Sequence, residues 1–290
     1  MKTKIAIAFF LFLNISSLVK AQTSDSTLIR IETTDGNEFI GNIVSEEVDQ
    51  IIIETKKLGR ITIKKADIKS QTEVKASQLK DGKLWFDNPQ STRYFWAPNA
   101  YGLKKGEGYY QNIYVLWNQF SVGVTDNFSL GAGVIPLFLF GGTPTPVFAT
   151  AKFSIPLRKE KINLGGGAII GTVLGEDLGG FGIVYSVSTF GSRDNNVTFG
   201  IGYGFADGEF GQSPLINISG LSRISSRGYF ISENYIVISD GDIGGIISLG
   251  GRWLIKKASL DFLLVIPYGG DIGAFVAFPV IGFAIPFGSN

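Results

Sequence analysis

Between residues 197 and 205 every odd position carries a large apolar side chain (Val197, Phe199, Ile201, Tyr203, Phe205), and every even one is threonine or glycine (Thr198, Gly200, Gly202, Gly204). Only an extended strand sorts side chains by parity, because successive Cβ atoms point to opposite faces. The same period of two returns at Val147, Ala149, Ala151, Phe153 and Ile155, set against Thr150, Lys152 and Ser154. It returns again at Phe181, Ile183, Tyr185 and Val187, set against Gly182, Val184, Ser186 and Ser188, and in the closing run Phe275, Ala277, Pro279, Ile281, Phe283, Ile285, Phe287. A strand that crosses a bilayer needs about 9 to 11 residues, apolar side chains outward and small or polar ones inward. These runs have that length and that alternation.

Compact charged turns separate the runs: Thr125-Asp126-Asn127, Arg158 to Lys161, Ser192 to Asn195, Ser225-Ser226-Arg227 and Lys256-Lys257. Between them fall connections richer in Gly and Asp, at Gly141 to Pro144, Glu176 to Gly179, Asp207 to Phe210, Ser239 to Asp242 and Gly269 to Asp271. Two alternating loop classes imply two sides of a sheet. The count is eleven strands after Tyr109, and a first strand near residues 92–97 makes about twelve, an even number that brings both ends to the periplasmic side. Residues 93–111 read in two ways: a loop folded over or into a barrel mouth, or a first hairpin with polar turn residues. Tyr94, Phe95, Trp96, Tyr109, Tyr110, Trp253 and Tyr268 are the candidates for interfacial aromatic girdles.

Composition narrows the chemistry. The chain has no Cys and no His, which removes disulfides, thiolate and imidazole metal sites, Cys nucleophiles and every triad with a His base. No catalytic, cofactor-binding or metal residues are assigned, and no enzyme is expected. Gly165-Gly166-Gly167 and Gly106-Glu107-Gly108 lack the following Lys-Ser/Thr of a phosphate-binding loop. The acidic turns at Glu176-Asp177 and at Asp240 and Asp242 lack the ligand spacing of a calcium loop. A net charge of +1 gives no field that would gather nucleic acid.

At the start, Lys2 and Lys4 precede the apolar run Ile5 to Leu13, and Val19-Lys20-Ala21 offers a cleavage position. Residues 1–21 are therefore expected to be a signal peptide. Residues 26–76 hold four or five short alternating runs, with Asp35-Gly36 and Leu58-Gly59 as turns. Their order resembles small SH3-like or Sm-like barrels, in which a glycine such as Gly41 lets a strand bend. The balanced charge there favours a solvated domain that docks on a periplasmic protein partner or on its own barrel over one that binds RNA. Residues 77–90 read as a linker, and residues 91–290 as the barrel.

Charges within strands are expected to avoid lipid, where each costs roughly 2 to 4 kcal/mol at the midplane. Lys152, Arg223, Arg252 and Asp261 are expected to face the lumen, and Glu233 too, although its run is apolar on both parities. They form either a mutually paired plug or a selectivity site.

Asn88-Pro89, Thr92-Arg93-Tyr94-Phe95, Ala97-Pro98, Lys105 to Asn112 and Gly123-Val124-Thr125-Asp126-Asn127 resemble a segment of exported outer-membrane β-barrel proteins of Gram-negative bacteria. The resemblance covers some forty residues. It implies an envelope location and a barrel surrounded by outer-membrane lipid, and brings no activity with it. The expectation is an all-β chain: a C-terminal antiparallel transmembrane barrel preceded by a small SH3-like domain on the periplasmic side, serving as a narrow pore or a structural envelope component. The alternative is a soluble periplasmic two-domain all-β binding or interaction protein, built as a sandwich.

Overall fold

The computed structural model describes residues 27–80, 83–137, 141, 144–176, 179–239, 241–255, 257–270 and 276–288. The expected signal peptide lies outside them, as do Asp177, Asp240 and Phe275. The chain divides into two compact units, Met1–Gly82 and Lys83–Asn290.

In the first unit β1 (Thr27–Thr33), β2 (Glu38–Glu46), β3 (Gln50–Thr55), β4 (Gly59–Lys64) and β5 (Ile68–Lys75) form one antiparallel sheet in the order β4-β3-β2-β1-β5. Alternate isoleucines supply its core: Ile31, Ile51, Ile53 and Ile63 pack together. Gly36 (φ +87°) and Gly59 (φ +68°) take the left-handed conformation at the two turns. Gly41 is required for a different reason. A Cβ there would collide with the Glu54 carbonyl oxygen, so only glycine lets β2 cross this close to β3. Two-residue strands β6 (Leu79–Lys80) and β7 (Lys83–Leu84) follow.

The second unit is a closed barrel. Its strands are β8 (Gly108–Ile113), β9 (Trp117–Gly123), β10 (Phe128–Val134), β11 (Thr145–Arg158), β12 (Ile162–Leu174), β13 (Phe181–Gly191), β14 (Asn195–Ala206), β16 (Leu215–Arg223), β17 (Gly228–Ser239), β18 (Asp242–Ile255), β19 (Ala258–Tyr268) and β20 (Phe278–Phe287), with a two-residue β15 (Glu209–Phe210) appended to β14. Each pairs antiparallel with the next, and β20 returns to β8 through Phe287↔Gly108 to Gly282↔Ile113. The sheet has no free edge, and both its first and last strands meet the same rim. A sandwich requires two facing sheets, so the soluble alternative in that form is not the fold.

The strand count is twelve, but all twelve lie after Glu107, and the first strand expected near residues 92–97 is not in the wall. The outer surface bears the apolar parity: Phe120, Leu130, Phe153, Phe199, Phe230, Leu249, Phe262 and Ile281 are all exposed. Between their ends the described strands carry no outward-facing Asp, Glu, Lys or Arg. Strand β13 reverses the expected orientation. Ile183, Tyr185 and Val187 point inward, while Val184 and Phe190 are exposed outside. Tyr185 stands between Gly167 on β12 and Gly202 on β14, and Val187 between Gly165 and Gly200. The large side chains of one strand thus fill the space left by glycines on both neighbours.

Strands β8, β9 and β10 have only 6, 7 and 7 residues, against 9 to 14 elsewhere. At about 3.3 Å per residue this sector of the wall is lower than the rest. The β8–β9 turn holds Tyr114 (φ 55°) and Val115 (φ 66°) in the left-handed region, which a β-branched residue rarely enters. Side chains from the strands hold it there. Asn112 Oδ1 accepts from Val115 N (3.2 Å), Asn118 Nδ2 donates to Val115 O (2.8 Å), and Asn118 Oδ1 accepts from Tyr110 Oη and Asn112 Nδ2.

Candidate functional site

The chain's own residues 85–104 run into the interior, with residues 90–103 buried or half-buried there. Thr92 to Asn99 make a tight hairpin, with Asn99 N donating to Thr92 O, Tyr94 N to Ala97 O, and an isolated bridge between Arg93 and Pro98. Prolines at 89 and 98 and side-chain turns at Asn88 and Asn99, which accept from Gln90 N and Tyr101 N, keep the segment out of regular structure. Its tip packs Tyr94, Phe95 and Ala97 against Leu221, Tyr229, Ile231, Leu254 and Leu263 of the wall. Thus the reading of residues 93–111 as a loop folded into the barrel holds for the residues before β8, and the reading of them as a first hairpin of the wall is corrected, because this hairpin stands inside the sheet rather than in it. Of the expected linker, residues 77–90, the part from Lys83 onward lies in the barrel unit.

A buried hairpin has backbone groups that must be paired, and the wall supplies the partners. Glu233 Oε2 accepts from Phe95 N (2.7 Å) and Trp96 N (3.0 Å), while its Oε1 accepts from Tyr235 Oη (2.7 Å). Arg252 donates to Tyr94 O (2.6 Å) and Gln90 O (2.8 Å), and holds Asp261 with two bonds of 2.7 and 2.9 Å. Lys152 Nζ donates to Thr92 O (2.9 Å) and Tyr101 O (2.6 Å). Arg223 donates to Phe86 O and pairs with Asp194 at 2.8 Å, its guanidinium 4.7 Å from the Trp85 ring centroid.

The five lumen candidates therefore converge on one object, the internal segment, rather than on each other. Of the five, only Arg252 and Asp261 form an ion pair with one another, directly opposite across β18 and β19. The reason is geometric: the segment stands between the walls, so Glu233 and Lys152 meet its backbone amides and carbonyls rather than an opposite charge. Glu233 is fully buried and faces amides; Arg252, Lys152 and Arg223 face carbonyls.

Several interior residues gave no signal in the sequence. Arg93 is buried, bonds Gln90 Oε1, Tyr94 O and Phe95 O, and lies 3.5 Å from Asp261. Tyr94 Oη bonds Asn196 Oδ1 (2.6 Å) and Thr198 Oγ1 (2.7 Å), and Thr189 Oγ1 accepts from Ala100 N. The small-residue parity of β14 was the only hint of these contacts. Tyr94, Phe95 and Tyr109, expected in a girdle, are inside, whereas Trp253 is exposed outside. Among the described residues no group of acidic side chains is placed to hold a metal ion.

Beside the hairpin lies a cavity of about 230 Å³. It is lined by the hairpin's Thr92, Arg93 and Trp96, by Trp117 and Gln119 near the low sector, and by Lys152, Ile183, Tyr185, Leu215 and Tyr235.

No protein-family model and no curated protein matches the sequence. Among solved structures the chain is similar to a loop L8 deletion mutant of OmpT, an outer membrane protein of Vibrio cholerae, at 12% identity with a TM-score of 0.35, over 90% of this chain and 96% of that one. It is also similar to in-vitro folded OmpT of Vibrio cholerae in its trimer form, at 11% identity with a TM-score of 0.31, over 91% and 96% of the two chains. The barrel assignment here rests on strand pairing, which closes the sheet without reference to either.

Proposed function

We propose that this chain is an outer-membrane β-barrel closed from within by its own residues 85–104, an occluded barrel rather than a permanently open pore. The observation that carries the membrane reading is the outward surface. Aliphatic and aromatic side chains cover it without charge, and leaving each such side chain in water forgoes about 1.5 to 3 kcal/mol. Closed strands satisfy their own backbone groups, as lipid demands. We assign the rim that receives both the first and last strands to the periplasm, and propose a periplasmic location for the first unit as well. That unit is assigned an SH3-like fold, supported by its five-stranded order and by the sharp passage at Gly41, and a role in docking a periplasmic protein. The interior groups bind and hold a segment; the reading is of a binding or gating barrel, not of a catalyst.

The test is fractionation followed by heat-modifiable gel mobility and planar-bilayer recording. Outer-membrane recovery with a heat-dependent shift is expected, and native protein is expected to show no steady conductance. Replacing Glu233 and Arg252 together by Ala and Met releases the hairpin and is expected to produce conductance steps. Steady steps in the native protein would refute closure, and silence in the double variant would leave a structural envelope role. A freely soluble protein would overturn the membrane assignment.

A further inference from the structure

We propose that the cavity beside the hairpin is a binding site for a small monocarboxylate with a compact apolar body. The inference rests on the closed-barrel reading, because the hairpin's Thr92, Arg93 and Trp96 line the cavity. The lining combines two kinds of surface: Trp96, Ile183, Tyr185 and Leu215 contribute apolar groups, and Gln119, Ser129, Thr150 and Lys152, on the adjacent strands β9, β10 and β11, contribute polar ones. An apolar pocket with a few convergent polar groups is the usual form of a small-molecule site.

Charge selects an anion. Around the hairpin the described interior groups Arg93, Lys152 and Arg252 face Asp261 and Glu233, leaving one cation in excess. Arg252 and Arg93 both pair with Asp261 and Glu233 accepts amides, whereas the partners of Lys152 are carbonyls, so Lys152 is the cation of this group with no carboxylate beside it among the described residues, and it lines the cavity together with Arg93. Its ammonium has three protons, and the two bonds it makes go to the carbonyls of Thr92 and Tyr101. A third donor remains for a ligand. A cation in such surroundings is costly unless paired, and a single carboxylate supplies the missing charge.

Size selects the body. At about 230 Å³ the cavity exceeds the roughly 150 Å³ that accepts a benzene ring and falls short of the about 300 Å³ at which drug-sized sites begin. A ligand of about ten non-hydrogen atoms fits that interval. The aromatic rings of Trp96, Trp117, Tyr185 and Tyr235 suit a flat apolar body.

The experiment is calorimetric titration of the full-length protein, in non-ionic detergent, with 3-phenylpropionate and with its neutral analogue 3-phenylpropan-1-ol. The acid is expected to bind at least about ten-fold more tightly than the alcohol. In Lys152→Met, which keeps the length and apolar stem, the preference for the acid over the alcohol is expected to vanish. Equal affinity of acid and alcohol for the native protein, or no binding of the acid at millimolar concentration, overturns the proposal. The native comparison decides alone if the variant loses its heat-modifiable mobility. Bilayer recording of the same preparation separates the two readings: a silent barrel without acid binding refutes only the site, whereas steady native conductance refutes the closed interior beneath it.

Discussion

Glu233 on β17 accepts the backbone amides of Phe95 and Trp96 at 2.7 and 3.0 Å, so a carboxylate on the barrel wall holds the tip of a hairpin that the chain has folded into its own lumen. On the other side of the same tip, Arg252 and Arg93 take the carbonyls of Tyr94 and Phe95. The peptide units between them are held at both ends by charge of the matching sign, which gives charge-assisted bonds roughly twice as strong as neutral ones.

Glu233→Ala leaves two buried amides without acceptors, each costing about 1 to 3 kcal/mol. The amides of Phe95 and Trp96 are expected to exchange with deuterium faster by one to several orders of magnitude, while those of β11 and β12 stay protected. Glu233→Gln keeps one acceptor oxygen and is expected to fall between. Unchanged exchange in the alanine variant would show that the tip is held by packing alone.

Arg252→Met removes bonds to Gln90 and Tyr94 and strips Asp261 of its nearest cation. Breaking a buried pair in this way costs about 3 to 5 kcal/mol. The temperature at which the folded gel band converts to the unfolded one is expected to drop clearly. A shift no larger than that of a surface substitution would count against the pair as a support of the hairpin.

Two glycines of the wall separate packing from turn chemistry. A Cβ on Gly167 would collide with the Ala151 carbonyl oxygen and lie 2.7 Å from Tyr185 Oη, while one on Gly220 meets nothing nearer than 3.6 Å. Gly167→Ala is expected to abolish the folded band, and Gly220→Ala to leave it unchanged. Equal tolerance at both positions would dismiss the interlock of β12 and β13.

Given the proposed membrane barrel, the short β8–β10 strands and the exposed Tyr114 and Val115 lead to the expectation that the β8–β9 turn lies within the apolar layer. The cysteine-free chain allows a nitroxide at Val115→Cys and, as a reference on the exposed loop before β16, at Gln212→Cys. The label at 115 is expected to be relaxed by oxygen and shielded from a water-soluble nickel complex in proteoliposomes, with the opposite at 212. Strong nickel relaxation at 115 would place the turn in water.

Asp35 in the first unit is held below the usual carboxylate range, chiefly by the Thr33 hydroxyl and then by the Asn37 backbone amide. Because its folded pKa lies below the unfolded one, the stability it gives is present above the unfolded value and lost as pH falls through the folded one. Thr33→Val is expected to weaken that acid dependence, read as exchange protection of β1 and β2 across the acid range. An identical pH profile in both proteins would remove Asp35 from the account.

That the second unit is a barrel of about twelve strands was legible in residue order alone. Alternation with period two is a local property of an extended backbone, and the exclusion of charge from one parity is enforced residue by residue by the surrounding solvent. The same pattern marked Lys152, Arg223, Arg252 and Asp261 as interior candidates, because a strand charge has only two faces to choose from, whereas Glu233, in a run apolar on both parities, was marked by its charge alone. The plug was not legible, because it depends on long-range contacts. Residues 92–97 look like a strand, with aromatics fit for an interface, and become a plug only because Glu233, Arg252 and Lys152, distant in sequence, pair their backbone inside a closed wall. The inward turn of Tyr185 was equally hidden, since both faces of β13 carry apolar residues; the space beside Gly167 and Gly202 selects the face, and that space exists only once the neighbouring strands are in register.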